Sequence, residues 1–309
     1  MKLAFVFPGQ GSQSVGMLSS FDNPAVGQIL DRASAALGQD IGSLIANGPA
    51  EDLSLTVNTQ PAMLVAGYAT YAAWRSAGGA PPALVAGHSL GEYTALTAAE
   101  ALTLEDAVRL VRFRASAMQE AVPVGEGAMA AIIGLSDEDA SRACATAAEG
   151  QVVEPVNFNA PSQVVIAGHK AAVERACAAA RQLGAKRALV LPVSAPFHSS
   201  LLQPAADRLR AYLAKVEIKT PAIPLVNNVD VAIETEPARI ADALARQAAG
   251  PVRWVEIVRL LASQGVTHVV ECGPGRVLAG LTRRIAPELE SLAIFDPESL
   301  KEALAATAA

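Results

Sequence analysis

Aromatic side chains are scarce, at 4% of the 309 residues, while about half the chain is apolar. The core is therefore expected to be aliphatic, built from Ala, Val and Leu. Cysteine is limited to Cys144, Cys177 and Cys272, an odd and widely spaced set. That argues against an extracellular disulfide framework, and the spacing offers no metal site. Charge is thin as well: 17% of residues, with a net charge of -6 and no basic block. This is enough for a compact enzyme, and nucleic acid is not an expected partner. No run of 18 apolar residues occurs, so no membrane span is expected. The apolar run in MKLAFVFPGQG is too short for a signal peptide, which makes the cytoplasm the expected compartment.

What is present is alternation. Residues 3–7, 83–86, the neighbourhood of Val226, 266–271 and 292–295 read as buried strands, with helical patterns near 60–77, 91–101 and 104–121. Strand and helix in turn predict an α/β fold with a parallel sheet covered on both faces. The middle of the chain differs. Strand-like 127–134, a helix from Ser136, strands VVEPVNF and QVVIAG, a helix closed by Gly184 and the strand ALVLPV give β-α-β-β-α-β. That is the ferredoxin-like pattern. The expected division is a large domain of residues 1–124 and 196–309 carrying an inserted small one, 125–195. Residues 305–309 are expected to fray.

VAGHSLGEY, residues 85–93, places Ser89 between Gly87 and Gly91, after a strand and before a helix. This is the pattern of a nucleophile elbow, in which the glycines permit a tight turn and the hydroxyl projects above the sheet edge. A strand–helix junction with an N-cap serine gives the same five letters. His88 is expected to be structural or to line the pocket, because adjacent residues on an elbow point apart.

A serine nucleophile needs a base. His169 reads as a solvated helix-start residue and His268 as a buried core residue. His198, in VSAPFHSSL, follows a strand and precedes a helix that begins near Ser199 or Pro204. Such a sheet-edge loop is where catalytic groups sit, and a helix amino terminus favours the neutral imidazole. A capping or surface histidine is the other reading. No acid stands where an ordinary esterase would hold its histidine, so a backbone carbonyl or an amide is expected there.

The helix opened by the Thr103–Asp106 capping-box pattern carries an apolar stripe of Ala107, Leu110, Val111 and Met118. Arg114 falls on that stripe. A buried guanidinium needs an anion, either an internal carboxylate or that of a substrate. The first loop, FPGQGSQ, fits neither a phosphate loop nor a dinucleotide fingerprint. It can supply an oxyanion donor or be a plain turn.

Taken together, FPGQGSQ, NTQPA, GHSLGEY, the arginine of RFRASAMQEAVP, GAMAAIIGL, SAPFHSSLLQPA and ECGPGRVLAGLTRR resemble the malonyl-CoA:acyl carrier protein transacylases of bacterial fatty acid synthesis, over essentially the whole chain. The resemblance implies a hydrolase-like α/β fold with a ferredoxin-like insert. It implies that Ser89 is acylated, that His198 is its base and that Arg114 binds the malonyl carboxylate. It further implies that the Gln10 and Leu90 amides form an oxyanion hole, that Gln60 lines the pocket and that the Gln247 carbonyl orients the histidine. Malonyl-CoA would be substrate and coenzyme A product, with no permanently bound cofactor and no metal. Ala115-Ser116 depart from the residues that often follow the arginine. Carrier proteins of such systems are acidic, as this chain is, so Lys186, Arg187, Arg283 and Arg284 are the candidate docking patch. The chain is expected to be a discrete, monomeric enzyme. A serine hydrolase or thioesterase and a non-catalytic carrier-binding module are the rival readings.

Overall fold

The computed structural model describes residues 1–308. The chain opens with β1 (Leu3–Phe7), followed by α1 (Pro24–Leu37), α2 (Ile41–Asn47), α3 (Ala50–Leu53) and α4 (Thr56–Ser76). Next come β2 (Leu84–Gly87), α5 (Gly91–Ala98) and α6 (Leu104–Glu120). The middle segment holds β3 (Gly127–Ile133), α7 (Asp137–Ala147), β4 (Val153–Ala160), β5 (Gln163–His169), α8 (Lys170–Gln182) and β6 (Arg187–Val190). The last part runs α9 (Gln203–Leu213), β7 (Leu225–Val226), β8 (Ile233–Glu234), α10 (Pro237–Gln247) and α11 (Trp254–Ser263). It ends with β9 (His268–Cys272), α12 (Val277–Ile285), β10 (Glu290–Ile294) and α13 (Pro297–Ala306).

Two sheets result. The larger has the order β10-β9-β1-β2-β7-β8 and is parallel except for β8. Its central strands are buried along their whole length, which is why they read as unbroken apolar runs. Helices cover both faces, with one apolar cluster on each side. The few aromatics are concentrated there: Phe5 meets Trp74 and Tyr71 edge-on, at 5.3 and 5.6 Å between ring centres. The smaller sheet is antiparallel, with the order β4-β5-β3-β6, and its third apolar cluster lies against α7 and α8.

The smaller sheet is tied to the segment between α10 and α11. Phe158 of β4 donates to the Val252 carbonyl at 3.0 Å, and Val252 donates back to Val156 at 2.8 Å. Phe7 and Gly87 lie side by side in register, so the loops after β1 and β2 emerge together at the carboxyl ends of parallel strands.

Several expected boundaries move. The helix expected near 60 starts at Thr56 and runs through Pro61. The strand expected to reach Val193 ends at Val190, with one further bond from the Leu191 N–H to the Met129 carbonyl at 2.9 Å, and Leu191 and Val193 then line the pocket. The antiparallel β8 has only two residues, too short to leave a pattern. A 3-10 turn at Ser200–Leu202 precedes α9. Ala305 and Ala306, expected to fray, are helical. Ala309, also placed in the fraying end and the large domain, lies outside the described residues.

Candidate active site

Ser89 sits at the β2–α5 turn with φ +53°, a left-handed conformation that costs energy for any residue but glycine. Its neighbours explain how the turn closes. A Cβ on Gly87 would lie 1.8 Å from the Gly91 carbonyl carbon, and one on Gly91 would lie 1.9 Å from the Phe7 oxygen. Both glycines are there because backbone passes against backbone. Asn228 pins the turn from across the fold. Its Oδ1 accepts the Ser89 N–H at 2.8 Å, and its Nδ2 donates to the Gly87 carbonyl at 2.7 Å.

Ser89 Oγ lies 2.7 Å from His198 Nε2. On the far side of the ring, His198 Nδ1 is 2.9 Å from the Gln247 carbonyl oxygen. A carbonyl only accepts, so Nδ1 carries the proton and Nε2 is left free to accept from the serine. His198 itself has φ +66° and is 4% exposed. Burial, and then the charge of Arg114, pull its pKa down to about 3, so the imidazole is neutral at physiological pH. His88 turns away from this pair. Its Nε2 is 2.8 Å from Asn159 Oδ1, tying the elbow to the smaller sheet.

Arg114 comes from the inward face of α6 and is 1% exposed. Its Nη1 donates to Gln60 Oε1 at 2.8 Å, and its Nη2 donates to Gln247 Oε1 at 2.9 Å and to Ser89 Oγ at 3.2 Å. The Tyr93 ring lies 5.3 Å below the guanidinium. Every one of these partners is neutral, and among the described residues no carboxylate forms an ion pair with Arg114. Its Nε has no partner. A helix dedicated to an internal salt bridge would not leave the charge in this state. The internal-carboxylate alternative is thus not what the geometry contains.

These groups surround a cavity of about 130 Å³. Gly9, Gln10, Gln60, His88, Ser89, Arg114 and His198 supply its polar side, and Met118, Met129, Leu191, Val193 and Phe197 its apolar side. Beyond Gln10, Leu191 and Val193 it runs into an outer groove lined by Ser54, Thr56 and Ser194. The Gln10 and Leu90 amides have no acceptor among the described residues.

The four basic candidates lie elsewhere. Arg187 and Gln163 flank Ile133 across β3, and Arg284 contacts the Gln163 side chain and the Pro161 carbonyl. Arg187 and Arg284 thus sit at one end of the smaller sheet, with Lys186 beside them. Arg283 donates to the Ser291 carbonyl at 2.9 Å. His169, expected in solvent, is partly buried and takes the Val152 N–H on Nδ1 at 3.0 Å. His268, expected in the core, is only partly buried because it opens β9, where it pairs with Glu290 at 3.0 Å.

Asn228 and Glu92 are both buried at the elbow, and neither belongs to a sequence pattern that assigns it a role. Glu92 left a trace: it is an acid within the otherwise uncharged, wholly buried run GEYTALTA.

Residues 4–290 match the acyl transferase domain family. A malonyl CoA-acyl carrier protein transacylase of Salmonella typhimurium is 56% identical over 98% of this chain and 99% of its own length. The crystal structure of an acyl-carrier-protein S-malonyltransferase from Burkholderia pseudomallei is 66% identical, with a TM-score of 0.97, covering 99% of this chain and 100% of that one. A malonyl-transacylase solved in complex with a type II PKS acyl-carrier protein is 51% identical, with a TM-score of 0.98 and coverage of 99% and 100%.

Proposed function

This chain belongs to the acyl transferase domain family, and from that membership we infer that it moves the malonyl group from malonyl-CoA to the phosphopantetheine thiol of an acyl carrier protein. The route is ping-pong, through an ester on Ser89. His198 Nε2 takes the serine proton as Oγ attacks the thioester carbonyl. The tetrahedral oxyanion is held by the Gln10 and Leu90 amides, each contributing about 3 kcal/mol. The carbon–sulfur bond breaks, and His198 returns the proton to the departing coenzyme A thiol. In the second half the carrier thiol gives its proton to His198, attacks the ester and regenerates the serine.

The observation that carries this reading is Arg114: buried, unpaired with any acid, and 3.2 Å from the nucleophile. A malonyl carboxylate meets a two-pronged donor there, with Gln60 and Gln247 holding the guanidinium in place. An acetyl group would leave the arginine without its anion, a large penalty of the kind seen when a site's polar group loses its partner. The carbonyl of Gln247 stands in for the third triad member by fixing the His198 tautomer.

The larger body, residues 1–124 and 196–309, would hold the nucleophile and base, with the insert 125–195 closing the pocket over them. The protein would work in the cytoplasm as a monomer, without resident cofactor, metal or nucleic acid. No helix among the described residues is long and apolar enough to cross a membrane. The carrier would dock through Lys186, Arg187, Arg283 and Arg284.

Intact-mass measurement after incubation with malonyl-CoA tests the reading. A malonyl adduct is expected on the wild type and none on Ser89→Ala, with Arg114→Ala shifting preference toward uncharged acyl groups. Steady release of free malonate in place of a stable adduct would favour a thioesterase.

A further inference from the structure

Arg114 holds a buried positive charge with no acid in contact, and a buried charge needs compensation. The nearest compensating group is reached through one amide. Gln247 Oε1 accepts from Arg114 at 2.9 Å, while Gln247 Nε2 donates to Glu92 Oε2 at 2.9 Å and to the Ser89 carbonyl at 2.9 Å. The amide is planar, so orienting its nitrogen toward the acid orients its oxygen toward the arginine. Glu92, on α5, is 1% exposed. Its Oε2 also takes the Asn228 N–H at 3.1 Å, but its Oε1 is buried and has no donor. Such an oxygen is expensive as part of an anion and inexpensive once protonated.

The charged and titratable groups facing Glu92 are few. They are Arg114 from α6, Tyr93 from its own helix and Asp230 from the loop after β7. Burial raises the Glu92 pKa to about 7, with Asp230 adding to the rise. Gln247, Asn228 and Arg114 favour the anion.

We propose that Glu92 is the resting counter-ion of Arg114, relayed by the Gln247 amide, and that a malonyl carboxylate arriving on Arg114 displaces it from that role, so that Glu92 takes a proton from solvent as the acyl group is bound. Two carboxylates then share one guanidinium in a closed space, and one must become neutral. The malonyl carboxylate takes the direct contact. Glu92, one amide further away and with a bare oxygen, accepts the proton. It is thereby a specificity-determining residue: it compensates the arginine when the site is empty and sets the pH range over which a carboxylated donor is preferred. The idea rests on Arg114 being the partner of the malonyl carboxylate.

The test uses the Ser89→Ala protein, which binds malonyl-CoA without bond chemistry. Calorimetry in two buffers of different ionisation enthalpy counts protons. At pH 8 an uptake of about one proton per malonyl-CoA is expected, with almost none at pH 6 and none with acetyl-CoA. With a pKa of about 7, the affinity for malonyl-CoA should fall about tenfold from pH 6 to pH 8. Adding Glu92→Gln, whose side-chain oxygen still accepts from Gln247 and Asn228, should abolish the uptake and flatten the affinity across that range. A purely structural role for Glu92 would move neither readout. Malonyl-CoA binding without proton uptake at pH 8, or uptake unchanged in Glu92→Gln, overturns the proposal. Should Glu92→Gln not fold, equal uptake with malonyl-CoA and acetyl-CoA overturns it just as well. Failure of the underlying functional reading looks different, because the wild type would then carry no malonyl mass adduct.

Discussion

The backbone N–H of Ser89 is held by the side chain of Asn228, 2.8 Å away and 139 residues later in the chain. The amide of Ser89, the proposed nucleophile, is therefore not free to bind an oxyanion. The same side chain supports the Gly87 carbonyl on the other side of the turn. Replacing Asn228 with Ala strands a buried donor and a buried acceptor on a backbone already at φ +53°. The expected loss is about 2–4 kcal/mol of stability, read by chemical denaturation. The acylation rate should fall more steeply than the folded fraction, because the serine loses its position as well as its support. An acylation rate that tracks the folded fraction would show that other contacts hold the turn.

Gly91 and Gly27 differ in what an added side chain would meet, and alanine substitution distinguishes them. Gly91→Ala places a carbon 1.9 Å from the Phe7 oxygen, which is central-strand backbone and cannot move aside. A loss above about 3 kcal/mol is expected, seen as a collapsed thermal midpoint or insoluble protein. Gly27, exposed on α1 with nothing within 4 Å of a Cβ, should respond oppositely. Gly27→Ala is expected to stabilise by about 0.5–1 kcal/mol and leave acyl transfer untouched.

The contrast between what the sequence reveals and what it conceals follows the same line. Ser89 is legible because an elbow needs residues that are neighbours in the chain, and local geometry writes itself into local letters. Arg114 is legible because helical periodicity puts a charge where apolar residues belong. His198 is legible only by elimination among four histidines, and its carbonyl partner only through resemblance, since a backbone oxygen leaves no residue-type signature. Asn228 acts across 139 residues and sits in a turn just after the two-residue strand β7, so nothing nearby announces it. Glu92 could have been singled out by the reasoning applied to Arg114: an acid in a buried helix needs a partner. The stitch between β4 and Val252 is backbone on both sides and is invisible to any reading of side chains.

Base chemistry at this site should tolerate acid. A free imidazole titrates near 6.5, but burial and the Arg114 charge pull His198 down to about 3. A depressed pKa means that the neutral, proton-accepting form persists as pH falls. The acylation rate per bound malonyl-CoA is thus expected to stay level from pH 8 to below pH 5, where an ordinary histidine would already have lost most of its activity. Arg114→Met removes the second cause, so its acid limb should move to higher pH, measured with acetyl-CoA to avoid the need for the arginine. An acid limb near 6.5 in the wild type would mean that the ring is hydrated in the working enzyme.

The carrier is expected to feel charge at the end of the smaller sheet, where Lys186, Arg187 and Arg284 lie, and the four basic candidates should contribute unequally. Arg283 is exposed on α12 but donates to the carbonyl of Ser291 at 2.9 Å, in β10 of the larger sheet. Arg187 is exposed on the edge strand β6, and Arg284 lies across β3 from it. Exposed charges of this kind act mainly on encounter, and salt weakens them. Reversing Arg283 and Arg284 together to Glu should lower kcat/KM for the carrier about tenfold or more at low ionic strength, with Arg284→Glu alone giving most of the effect. Malonyl loading of Ser89, followed by intact mass, should be unchanged. Raising the salt should shrink the difference between variant and wild type, because the wild type has more attraction to lose. If both half-reactions fall equally, the patch serves the phosphates of coenzyme A and the carrier docks elsewhere. If neither falls, the charges are a solvated face, and the apolar edge formed by Leu189 and Val190, each about half exposed, becomes the surface to mutate next.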